Sequence, residues 1–249
     1  NIFYWEYVHR MLGRIIGLIY IIPFFFFLKR GYIKKEYVKS FLTLITLVII
    51  QGILGWYMVK SGLVDNPHVS HFRLAAHLLL AFFLLAYTFW IKINFKNNKR
   101  LEIIETEDNR NINILIFLFT LQVLFGAFIA GTKAGLLWNT FPLMDGKLIP
   151  DGLFVLKPIY ENFINNMKMF QFVHRLIGTL LIFYAGWFFF KTADKKYSIY
   201  TRFLFMLFLM QFYIGIMTLL LRVPFLVGIV HQGLAMIILI LIVKIKYLI

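Results

Sequence analysis

Long apolar runs, each close to 20 positions and separated by short polar segments, set the pattern of this chain. Seven of them fall at about 7–28, 38–59, 70–91, 112–131, 170–190, 201–221 and 225–243. Each is long enough for a helix to cross a hydrocarbon layer, and none shows the strict alternation of a barrel strand. The predicted fold class is therefore all-α, a polytopic membrane protein with seven visible spans.

Composition agrees, with 61% hydrophobic and only 15% charged residues among 249. A formal net charge of +15 raises nucleic acid as a partner. The placement of the charge points to lipid instead. The segments after the first, third and fifth spans, with the C-terminal tail, hold 16 of the 26 Lys and Arg residues, against seven on the other side. That bias places the C-terminus on the cytoplasmic or matrix side of a bacterial inner or mitochondrial inner membrane. Cysteine is absent, so the chain can build no disulfide, thiolate ligand or iron–sulfur cluster.

A repeat lies beneath the hydropathy. Glu6-Tyr7-Val8-His9-Arg10-Met11-Leu12-Gly13 returns as Gln171-Phe172-Val173-His174-Arg175-Leu176-Ile177-Gly178. Gln51-x-x-x-Gly55 in the second span returns as Gln211-x-x-x-Gly215 in the sixth, and His77 in the third as His231 in the seventh. Residues 1–110 and 111–249 therefore read as two pseudo-symmetric halves. The fourth span, with Gln122-x-x-x-Gly126, has no counterpart ahead of the first. Each half is expected to be a four-helix bundle, with the first helix of the first half missing from this sequence. The opening residues also lack the basic start and small-residue cleavage site of a signal peptide.

Ionisable groups inside a membrane are costly and point to function. His9, His77, His174 and His231 all fall in the outer part of spans that run in the same direction. Two imidazoles facing each other across a bundle can be the axial ligands of a haem, whose propionates require cations near the water boundary. Arg10, Arg73 and Arg175 are placed for that, and Arg14 and Arg222 less well. The absence of Cys excludes covalent c-type attachment. A single membrane histidine is more often a helix–helix hydrogen-bond partner, and zinc or copper usually takes carboxylate or sulfur ligands as well. Four histidines paired by the repeat favour haem. His68 and His71 read as interfacial residues, with His71 as an outer neighbour of a site at His77. The glutamines and glycines read first as helix-packing residues.

Glu6 is the asymmetric element. It lies three residues before His9 on the same helix face, and its counterpart Gln171 cannot ionise. The two sites are then expected to have different tasks, unless Glu6 serves only to pair with Arg10. The long connection between the fourth and fifth spans, rich in apolar residues, reads as an outer cap. Glu102, Glu105, Glu107 and Asp108 read as a solvated stretch without chemistry.

With these residues assembled, nearly the whole chain resembles the haem A synthase family. The resemblance rests on Glu6-Tyr7-x-His9-Arg10-Met11-x-Gly13-Arg14 and Pro67-x-Val69-Ser70-x-x-Arg73-Leu74-Ala75-x-His77. It extends through Gly126-Ala127-x-x-Ala130-Gly131, Asn139-Thr140-Phe141-Pro142-Leu143-Met144, Gln171-Phe172-x-His174-Arg175 and His231-Gln232. It implies eight helices in two halves and oxidation of the C8 methyl of haem O to a formyl group by successive hydroxylations. It further implies a resident haem b on His174 and His231, the substrate haem on His9 and His77, and Glu6 as the catalytic carboxylate. Arg10, Arg73, Arg175 and Arg222 would receive propionates. Haem O, haem O synthase, membrane lipid and an electron donor would be partners, nucleic acid would not, and self-association stays open. Some members carry a cysteine pair in outer loops, which this chain lacks. A di-haem electron-transfer cytochrome b and a non-catalytic haem carrier are the alternatives.

Overall fold

The computed structural model describes residues 2–62, 70–97 and 106–249. Pro67, His68, Val69, Lys99, Arg100, Glu102 and Glu105, which the sequence singled out, lie outside the described residues. The chain folds into helices α1 (Ile2–Lys29), α2 (Lys35–Gly62), α3 (His71–Asn97), α4 (Glu107–Thr132), α5 (Asn162–Asn165), α6 (Met167–Lys191), α7 (Ser198–Leu220) and α8 (Phe225–Leu248). All but α5 are long and apolar enough to cross a membrane. The fold is a polytopic all-α membrane protein, as the hydropathy predicts.

At α4 and α6 the helix starts ahead of the apolar segment, where a polar residue caps it. Thr106 caps α4 by accepting from the Asn109 N–H, and Glu107 and Asp108 follow in its first turn. Asn166 caps α6 by accepting from the Lys168 and Met169 N–H groups. Glu107 and Asp108 therefore do structural work. Glu107 pairs with Lys191 at the end of α6, and Asp108 accepts a 2.5 Å bond from Tyr197 before α7.

The chain divides into two compact units, Asn1–Val69 with Leu80–Arg100, and Ser70–Leu79 with Leu101–Ile249. In the first unit α1 packs on α2, with Phe24 and Leu44 buried. Tyr20 bonds Thr88 at 2.9 Å, and Tyr37 donates to the Asn94 carbonyl.

In the second unit α4 packs on α6 and α8, and α7 packs on the same two helices. The four close a ring in which α6 and α8 face each other diagonally. Ile112 and Leu115 of α4, Phe170 and Phe188 of α6, Leu204 of α7 and Ile238 and Ile242 of α8 are fully buried. Large exposed side chains elsewhere, such as Phe183, Phe203 and Leu226, are what lipid-facing positions require.

Residues 133–166 form a cap over this bundle. Asp145 and Gly146, both with positive φ (60° and 77°), make a tight turn between Met144 and Lys147, which exchange main-chain hydrogen bonds. Asn162 is fully buried and bonds the main chain of Leu156 in both directions and the carbonyl of Ile159.

Candidate functional site

His174 and His231 lie at equivalent places. Each stands six or seven residues into its helix, about 10 Å from the start at 1.5 Å per residue. The two imidazoles stand on the diagonal helices α6 and α8 of the same four-helix ring.

Each imidazole rests in a seat on the neighbouring helix. His174 Nδ1 lies 3.1 Å from the main-chain oxygen of Gln122 on α4, and its Nε2 lies 3.2 Å from the Gln122 side-chain nitrogen. A carbonyl can only accept, so Nδ1 carries the proton and the Nε2 lone pair accepts from the Gln122 side-chain amide. Gly126 lies alongside the ring, and a Cβ there would stand 3.2 Å from the His174 Cε1. On α7 the arrangement recurs. The Gln211 amide lies 3.4 Å from His231 Nε2 and donates to the His231 carbonyl at 3.0 Å. A Cβ at Gly215 would stand 3.0 Å from the His231 Cε1.

Metal-binding histidines ordinarily donate their second ring N–H to a carbonyl or carboxylate, which His174 already does. Among the described residues no three His, Cys, Asp or Glu side chains converge, so a bare ion held by three such ligands finds no place there. A macrocycle that takes one imidazole on each face needs only two. Gln122 Oε1, Gln211 Oε1, His231 Nδ1 and Arg175 Nε are buried here without a completed hydrogen bond. Arg175 Nε is a suitable donor for an acidic group. The residues present therefore fit a bis-imidazole haem.

The remaining bonds of Arg175 go to the cap. Its Nη1 donates to the Thr140 carbonyl and its Nη2 to the carbonyl of Trp138, both at 2.8 Å. Nη2 also donates to the side-chain oxygen of Gln171 at 2.9 Å. Gln171 is 3% exposed, and its amide donates to the carbonyls of Ala134 and Leu137 at 3.2 and 2.9 Å. A carboxylate has no hydrogen to offer these two carbonyls, which gives Gln171 a reason of its own to be an amide.

The other predicted residues are placed as follows. Glu6 and Arg10 lie on one face of α1, 3.9 Å apart and both exposed, with His9 exposed between them. Arg73 and His77 lie one turn apart near the start of α3, both half-buried. Arg222 is exposed in the turn before α8, where it and Val223 hold positive φ of 59° and 57°. Asn139 of the cap donates to the Leu219 carbonyl beside that turn. His71 bonds the Ile164 carbonyl at 2.9 Å and lies edge-on to Phe128, so its ring is held by the cap and α4.

Sequence reasoning passed over the seats. Gln122, Gly126, Gln211 and Gly215 read as packing residues, although the recurrence of Gln-x-x-x-Gly in both halves was the available signal.

Comparison with known proteins points the same way. Residues 1–243 match the family model COX15-CtaA, described as cytochrome oxidase assembly protein. The chain is 43% identical over 241 residues to a heme A synthase of Nitrosomonas eutropha, covering 94% of this chain and 68% of that protein. It is 43% identical over 236 residues to a heme A synthase of Wolbachia pipientis subsp. Culex pipiens, with 91% and 68% covered. A heme A synthase of Flavobacterium johnsoniae is 38% identical over 244 residues, with 94% and 70% covered. No solved structure matches the chain.

Proposed function

Because the chain belongs to the COX15-CtaA family of cytochrome oxidase assembly proteins, we propose that it oxidises the C8 methyl of haem O to a formyl group, giving haem A. It is an integral membrane oxidoreductase of haem A synthesis. The methyl would be hydroxylated twice, each step removing two electrons from the carbon to an external oxidant and replacing one C–H hydrogen by a hydroxyl, and the resulting geminal diol would lose water to leave the aldehyde. The observation that carries this reading is the pair of seated imidazoles, His174 and His231, in a chain akin throughout to heme A synthases.

In this reading His174 and His231 hold a resident haem b, with the residues of 111–249 as its domain. When bound, that haem would supply one-electron transfer. The Gln122 carbonyl fixes the His174 tautomer, so that Nε2 carries the lone pair, which would bind iron once the Gln122 amide that now donates to it turns away. Arg175 would offer Nε to a propionate while its other nitrogens hold the cap in place.

Residues 1–110 would serve the substrate. The order of the repeat supports His9 and His77 as the pair for haem O, with Arg10 and Arg73 for its propionates, while Arg222, like Arg175, falls in the half that would hold haem b. Glu6 would stabilise positive charge that develops as the methyl is oxidised, or accept the proton released. The basic loops support an inner membrane, with the C-terminus on the cytoplasmic or matrix side and the histidines toward the outer side. Haem O synthase is the expected supplier of substrate, and the electron donor would approach the outer side.

The test is to express the protein in a membrane supplied with haem O, extract the pigments and separate them. Accumulation of haem A is expected. Unchanged haem O with haem b alone overturns the reading.

A further inference from the structure

We propose that Gly126 and Gly215 are positioning residues for the axial histidines, because the missing side chain at each makes room for an imidazole against the neighbouring helix, which at Gly126 lets the ring reach the main-chain carbonyl four residues earlier. This rests on the reading of His174 and His231 as the ligands of a resident haem.

A helical Cα–Cβ bond leans toward the N-terminus, so a side chain at position i+4 covers the carbonyl at position i. That carbonyl already accepts one helical N–H and retains a second lone pair. Only an approach unobstructed at i+4 can use it. On α4 the carbonyl at i is Gln122 and position i+4 is Gly126. The His174 ring occupies the space, with Cε1 3.2 Å and Nδ1 3.6 Å from where a Cβ would be. Its Nδ1 bonds the Gln122 oxygen at 3.1 Å. On α7 the i and i+4 residues are Gln211 and Gly215, and the His231 Cε1 lies 3.0 Å from the missing Cβ. The spacing Gln-x-x-x-Gly is thus the spacing of one carbonyl and the gap that exposes it.

The two seats differ in one respect. The bond from Nδ1 to the carbonyl is made at His174, at 3.1 Å, whereas His231 Nδ1 is buried without a hydrogen bond of that geometry. A hydrogen bond from Nδ1 increases the electron donation of the ring and favours the oxidised iron. The Gly126 seat therefore holds the stronger donor, and disturbing it raises the potential more than disturbing the Gly215 seat.

An alanine at either glycine must push the ring by a few tenths of an ångström. Gly186 on α6 supplies the control, since a Cβ there would stand 3.1 Å from the Phe205 ring, the same crowding without an imidazole. The experiment compares Gly126→Ala, Gly215→Ala and Gly186→Ala in the full chain, purified with its haem. It measures haem content, the ferric low-spin resonance and the reduction potential. Gly126→Ala is expected to shift the resonance and raise the potential, Gly215→Ala to do so less, and Gly186→Ala to leave both at the wild-type value. An unshifted resonance and potential in Gly126→Ala at full haem content overturns the proposal, as does an equal shift in Gly186→Ala. Should an alanine variant hold no haem, its helical melt decides. A melt matching Gly186→Ala locates the loss at the seat and supports the proposal, and a lower melt assigns these glycines to packing alone. Failure of the underlying reading would look different, since the wild-type protein itself would then show no bis-imidazole spectrum.

Discussion

Replacing Gln171 by Glu converts the second copy of the repeat into the first, and the structure predicts that the exchange is harmful. The Gln171 amide donates to the carbonyls of Ala134 and Leu137 while its oxygen accepts from Arg175. A carboxylate keeps the Arg175 bond, loses both donated bonds and sets a negative oxygen against a carbonyl dipole. Each lost bond costs about 0.5–1.5 kcal/mol net, and the two stranded carbonyls add to that. Stronger pairing with Arg175 offsets only part of it, so Gln171→Glu should cost about 2–4 kcal/mol. Because both partners are at the root of the cap, the loss should appear there first. Equilibrium unfolding in detergent measures the total, and trypsin cleavage at Lys147 reports opening of the cap. Gln171→Glu is expected to unfold earlier and to be cut faster. A variant as stable and as resistant as wild type would refute the assignment of Gln171 as a cap fastener.

Two further outcomes are expected. Glu6→Gln should leave haem bound and fold intact, since Glu6 is exposed and meets Arg10 only at 3.9 Å, yet abolish aldehyde formation in extracted pigments; conversion at the wild-type rate would remove Glu6 from the chemistry. Tyr197→Phe should cost about 1.5–3 kcal/mol through its bond to the Asp108 carboxylate. Burial, and then that bond, push the Tyr197 hydroxyl above its ordinary value, so its contribution is present below about pH 10 and is lost as pH rises beyond. Melts of wild type and Tyr197→Phe should therefore converge in strong alkali, and a constant gap across that range would contradict the account.

Much of this was legible in the residues. Apolar runs located seven helices, since length and continuity are enough to identify a span. Helix ends were less legible, because Thr106 and Asn166 extend α4 and α6 beyond the apolar segments by capping. The contrast of Glu6 with Gln171 was visible, but only half of its cause. The sequence marks Glu6 as the exception, whereas the structure supplies a reason for Gln171, two carbonyls that require a donor. The partners of Gln122 and Gln211 could not be read, because spacing along one helix does not say which side chain arrives from another. For the same reason Glu107 and Asp108 looked idle until Lys191 and Tyr197 came to meet them.

The central claim is that His174 and His231 together hold a resident haem. The most direct measurement is the ferric resonance and haem content of the purified protein, beside His174→Ala and His231→Ala. The account predicts a low-spin bis-imidazole signal in the wild type that disappears when either histidine is removed. The same signal at undiminished haem content in either variant would contradict it.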